Sequence, residues 1–227
     1  MTYLQNIRHS KFFLFLTVFI VFFVVVIVLN HTLFPLLLED NAHVHKTVSP
    51  PAGQGEQLIY YISVILFAPI IEEFLYRWGL KFSVVKATFL LLGISYTIAI
   101  LVAPKDTDYK DAQRLLIEIC SFIILFFTFY FLVKKNKSKI ENAYREKFRW
   151  IFWISVVAFT YSHFSMYENN SLLSIIWSPL TLYTYLISGV AFALIRLRIS
   201  FIWGCIAHIL WNLVMITIRD YDLLFKM

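Results

Sequence analysis

Cysteine is scarce: Cys120 and Cys205 are the only two in 227 residues, and both lie in apolar stretches, which argues against a disulfide framework. Neither sits in a motif with a base, and no Ser-His-Asp grouping is evident, so a serine or cysteine nucleophile is not indicated. The His-Glu-x-x-His spacing of soluble zinc enzymes is missing too. No internal repeat or low-complexity tract is present, which sets aside solenoids and disordered tails. Charge is thin: Asp, Glu, Lys and Arg make up 15% of the chain, against about 25% in soluble domains. Acidic residues are the scarcer kind, 14 against 20 basic, for a net charge of +6. That excess falls in short segments between apolar runs, so it reads as membrane topology and not as a nucleic-acid surface.

What the chain has in place of charge is apolar length. Hydrophobic residues are 60%, aromatics 19% and the mean hydropathy +0.73, which describes an integral membrane protein. The pattern predicts an all-α, polytopic transmembrane bundle of about seven spans, at about 12–37, 57–79, 82–103, 114–133, 150–167, 172–195 and 199–218, forming one membrane domain over 1–227. Arg8 and Lys11 precede the first run as in a signal peptide, but the run is too long and no small-x-small cleavage site follows before Asn30. Basic residues mark alternate connections: Arg8 and Lys11, then Arg77 and Lys81, then 134–149, then Arg196 and Arg198. This alternation predicts a cytoplasmic N-terminus and, for a bacterial host, residence in the cytoplasmic membrane. The 134–149 segment has two readings, a topogenic signal or an amphipathic surface helix drawn to anionic lipid. His43 and His45, in the Pro- and Gly-containing 39–56 connection, are too few to bind a metal by themselves.

The second span carries an anomaly. Glu72, Glu73 and Arg77 lie inside the apolar run 58–78. Each central charge costs about 2.5–3.5 kcal/mol on a membrane-insertion scale, and each Leu, Ile, Phe or Val recovers about 0.3–0.6. Eleven such residues recover less than three charges cost, so the segment requires partner helices or a hydrated cavity. At a spacing of four, Glu73 and Arg77 share a helix face and are expected to pair. Glu72 is turned about 100° away, has no cation at that spacing, and is expected to point at a reactant. Two further polar groups interrupt apolar spans: His163 at the end of the fifth, and His208 with Asn212 one turn apart in the seventh. Helix-packing hydrogen bonds would explain the last two as well as chemistry would.

Glu72-Glu73-x-x-x-Arg77, Phe159-x-x-x-His163 and His208-x-x-x-Asn212, in this order and each in an apolar span, resemble the motifs of the CPBP family of intramembrane proteases. That family includes CAAX prenyl endopeptidases and bacterial relatives linked to bacteriocin immunity and abortive infection. The resemblance covers about 57–218. The first span and the two spans at 82–133 stand as additions, because 86 positions separate Arg77 from His163. It implies an endopeptidase acting on a membrane-associated protein or peptide. Glu72 with His163 would activate a water, and His208 with Asn212 would donate to the oxyanion. Glu73 and Arg77 complete the implied site. The metal-free scheme is preferred, with zinc held by Glu72, His163 and His208 as the alternative. Membrane lipid is the other expected partner. Two rival readings are a silent family member serving as an immunity or scaffold protein, and a proton-coupled transporter using the buried carboxylates as a relay.

Overall fold

A chain this apolar can cross a bilayer only if its backbone polar groups are satisfied within each segment, which in an unclosed structure requires helix. The computed structural model describes residues 11, 13–22, 24–26, 54–102, 111–164 and 182–219, and among them there is no strand. In chain order the helices are α1 (Phe13–Val26), α2 (Gly55–Leu80), α3 (Val84–Val102), α4 (Asp111–Lys135), α5 (Lys137–Glu146), α6 (Phe148–Ser162), α7 (Tyr183–Arg198) and α8 (Phe201–Arg219). Ser83 and Ser200 start α3 and α8, their hydroxyls accepting from the N–H of Lys86 and Trp203 at 3.3 and 3.4 Å.

Among the described residues four helices are long and apolar enough to cross a membrane: Gly55–Leu80, Val84–Val102, Leu116–Lys135 and Phe201–Ile218. They coincide with four expected spans to within two residues at each end, and they make the chain an integral membrane protein. The spans expected at 150–167 and 172–195 correspond to the shorter α6 and α7, of 15 and 16 residues, and that at 12–37 to α1. Residues 27–53, 165–181 and 220–227 lie outside the described ones, and His43 and His45 with them. Among the described residues, four helices thus meet the length and composition of a span.

The contacts resolve into two compact units, one of Met1–Glu73, Met166–Asn169 and Ile187–Met227, the other of Phe74–Ser165 and Asn170–Leu186. In the first, α1, α7 and α8 enclose a core of Phe15, Phe22, Val26, Phe192, Ile195, Ala207 and Trp211. Aromatic rings lock it: Phe22 meets Trp211 at 4.4 Å between centroids, and Phe15 meets Trp203 at 4.7 Å.

In the second unit Leu75, Tyr76, Leu92, Ala158 and Phe159 form the core. Its polar atoms are matched in place. The Thr97 hydroxyl lies within hydrogen-bond distance of the Gly93 and Ala158 carbonyls, at 3.0 and 2.9 Å, and of the Tyr76 hydroxyl at 3.0 Å. Such hydroxyls join membrane helices at about 0.6–2 kcal/mol each. Gly93 allows the approach, because a Cβ there would stand 2.8 Å from the Leu75 carbonyl oxygen. That neighbour is main chain and cannot step aside. Gly93→Ala is expected to lose about 1–3 kcal/mol of stability by overpacking, read as a lower melting temperature in detergent; an unchanged melt would show that the helices do not meet at this point.

The basic 134–149 segment forms the ten-residue α5, whose Ile140, Ala143 and Tyr144 are half-buried while Lys137, Lys139 and Arg145 are exposed. Tyr144 packs on Phe82 at 5.1 Å, and burial pushes its phenol up to about 12. The apolar side of α5 is thus spent on the protein.

Candidate active site

The second helix is not a uniform α-helix. An α-helical start, Gln54–Ile62, gives way to a π-helical turn, Ser63–Phe67; α geometry resumes at Ala68–Glu72, a second π turn runs over Glu73–Arg77, and a 3-10 turn, Trp78–Leu80, ends it. Pro69 sits where the first π turn ends, and the N–H it lacks is the physical cause for a departure from the α ladder there. Single π turns inside helices are frequently found at functional sites. Here they bracket Glu72.

In the first unit His208, from α8, faces both carboxylates. Its Nδ1 lies 3.1 Å from Glu73 Oε1 and its Nε2 lies 3.4 Å from Glu72 Oε2. The ring plane is set by Phe192, stacked on it at 4.5 Å and 26°. Burial grades along this chain: the Glu73 side chain is 0% exposed, His208 3% and Glu72 23%. Gly204, one turn before His208, admits the Glu73 carboxylate, since a Cβ there would lie 3.2 Å from Glu73 Oε2. Asn212, one turn after His208, donates from Nδ2 to the Val64 carbonyl at 2.9 Å.

The sequence set Glu72 apart from Glu73; in the structure one imidazole from a distant helix, His208, faces both carboxylates. What distinguishes the two carboxylates is depth, with Glu73 sealed and Glu72 partly accessible.

Arg196 is a residue that sequence reasoning passed over as a topological charge. It is 5% exposed, interacts electrostatically with Glu73, and sets its guanidinium 5.5 Å from the Phe201 ring centroid. A signal was present: Arg196 stands four after Phe192 and shares its buried face, whereas Arg198 is turned to the exposed side.

In the second unit His163 terminates α6 and is half-buried. Its Nδ1 is 3.0 Å from the Phe159 carbonyl, an atom that can only accept, so Nδ1 carries the proton and Nε2 is the acceptor nitrogen. Tyr185 stacks on the ring at 4.0 Å and 23°, and the Phe159 ring meets it edge-on at 4.9 Å. Arg77, 1% exposed, lies with its guanidinium carbon 3.9 Å from the Phe159 centroid, a desolvated cation–π contact. The Phe159-x-x-x-His163 spacing thus has a local meaning, one phenylalanine supplying ring and carbonyl to the histidine one turn on.

The structure therefore brings Glu72, Glu73 and His208 together and places Asn212 on the same helix as His208, while His163 and Arg77 are organised around Phe159 in the other unit. Among the described residues no three His, Cys, Asp or Glu side chains are disposed to hold a metal ion. Of the residues that the zinc alternative names, Glu72 and His208 lie in the first unit and His163 in the second.

Residues 54–214 match the family model described as type II CAAX prenyl endopeptidase Rce1-like. Nothing matches among curated proteins or among solved structures.

Proposed function

Because the chain belongs to the type II CAAX prenyl endopeptidase Rce1-like family, whose model spans most of its length, we propose that it is an intramembrane endopeptidase in which Glu72 carries the proton of an activated water. The observation that carries this reading is the line of three groups Glu72, His208 and Glu73, of which only the first is partly exposed. Glu72 takes a proton from water; the resulting hydroxide oxygen bonds to the scissile carbonyl carbon. The carbon–nitrogen bond then breaks as Glu72 returns the proton to the leaving nitrogen.

His208 orients Glu72 and is itself anchored by Glu73, the same ordering of base, orienting group and anchor that serves other hydrolases. Its 3.4 Å contact to Glu72 is longer than an ordinary hydrogen bond, which leaves that edge of the ring able to turn toward the oxyanion. The role of His163 in binding the water rests on the resemblance of its motif to the family's, and within its own unit Arg77 packs on the Phe159 ring that meets His163. The substrate is a membrane-associated protein or peptide. Seven spans, a cytoplasmic N-terminus and a bacterial cytoplasmic membrane complete the proposal, supported by the alternation of basic connections.

The test is purified full-length protein in lipid bilayers, presented with a library of membrane-anchored peptides with and without a chelator. Cleavage unaffected by the chelator is expected. A correctly folded preparation that cleaves no member would refute the assignment.

A further inference from the structure

Asn212 has a bond that the hydrolytic scheme does not use. Its Nδ2 donates to the carbonyl of Val64, 148 positions earlier in the chain, at 2.9 Å. That carbonyl has a particular need for a donor. In the π turn Ser63–Phe67 the N–H of Ala68 bonds to the Ser63 oxygen, five residues back. In an α register the same N–H would have served Val64. The N–H that would serve Val64 in the π register belongs to position 69, which is proline and has none. The main-chain donors that the α and π registers offer to Val64 are therefore removed, one by the π turn and one by Pro69. An unsatisfied carbonyl is strongly disfavoured in a membrane span.

We infer that Asn212 is a positioning residue: its amide satisfies the carbonyl that Pro69 strands at Val64, and so holds in register the turn that presents Glu72. The α8 helix then grips α2 twice, through His208 at Glu72 and Glu73 and through Asn212 at Val64, with the two helices running antiparallel between these points. Pro69 stands three residues before Glu72, so a slip of the turn at Val64 is passed along less than one helical turn to the carboxylate. Only this last link rests on the reading of Glu72 as the proton carrier. The role differs from that of an oxyanion donor, because it makes Asn212 necessary on account of Pro69.

A double-mutant cycle on the full-length protein tests the coupling. Pro69→Ala, Asn212→Leu and the pair are compared by detergent-titration unfolding. Asn212→Leu in the native background is expected to shift the unfolding equilibrium by about tenfold toward the unfolded form, the effect of stranding one buried acceptor. In the Pro69→Ala background the same change should shift it by less than about threefold. There the new N–H at position 69 either reaches Val64 directly or lets the turn revert to an α register in which Ala68 serves it. Equal losses in both backgrounds would overturn the inference. If Asn212→Leu alone fails to insert, recovery of a folded protein in the double variant is the expected result, and failure of both variants overturns it. Cleavage assays add a second readout: recovery of kcat in the double variant relative to Asn212→Leu, with KM unchanged, marks positioning, whereas a double variant as slow as Asn212→Leu marks a direct oxyanion donor and overturns the positioning role. The unfolding cycle decides the coupling even if no peptide is cleaved by the native protein.

Discussion

Glu72→Gln is expected to lower kcat for a membrane peptide by about 100- to 10,000-fold, the range that a positioned general acid–base group contributes. Glutamine keeps the size and planarity of the side chain and can still meet the His208 ring, so the packing around a contact of 3.4 Å is preserved. What it loses is the capacity to take a proton from water and return it to the leaving nitrogen. The partial exposure of Glu72, 23% against 0% for Glu73, is the reason the larger effect is assigned to this carboxylate. Glu73→Gln should cost less activity, because a wholly enclosed carboxylate reaches substrate only through the imidazole it holds. The measurement is kcat for both variants beside their melting temperatures. A Glu72→Gln protein retaining more than about a tenth of the native rate would remove Glu72 from the role of proton carrier, given the contribution expected of such a group.

His208→Ala carries the largest expected loss of stability. The imidazole is the group lying between two carboxylates, and one of those, Glu73, is completely removed from solvent. Removing the imidazole takes from the buried Glu73 one of its partners, Arg196 being another, and breaking a buried pair of this kind costs about 3–5 kcal/mol. The Phe192 ring also loses the surface it stacks on at 4.5 Å. Neutralising the remaining carboxylate should recover part of the loss, so the Glu73→Gln/His208→Ala double variant is expected to be more stable than the sum of its parts by about 1 kcal/mol or more. Additive losses in the double variant would mean that the contact at 3.1 Å contributes packing and not charge pairing.

Much of the fold was legible before any coordinates. Four spans were located to within two residues because bilayer insertion depends on local length and apolar content, and Leu, Ile, Phe and Val runs declare both. The shorter α6 and α7 were harder to bound: α6 already begins at Phe148 inside the basic segment, where composition argues against a span while the backbone continues as helix. The six polar residues of the three motifs were found by the same logic in reverse, as groups that do not belong in hydrocarbon. Their partners were not. Arg196 looked like its neighbour Arg198, and only the packing of α7 separates the enclosed one from the exposed one.

The sequence by itself determined that this chain lives in a membrane as helices, and which polar residues it carries there at a cost, because both follow from residue type and spacing along a single segment. Tertiary structure alone decided that His208 meets both glutamates, 135 positions from Glu73, and that Asn212 reaches the Val64 carbonyl across 148. Those pairings depend on which faces of α2 and α8 come together, and the faces shift wherever a π turn adds a residue to the helical repeat. Composition registers none of that.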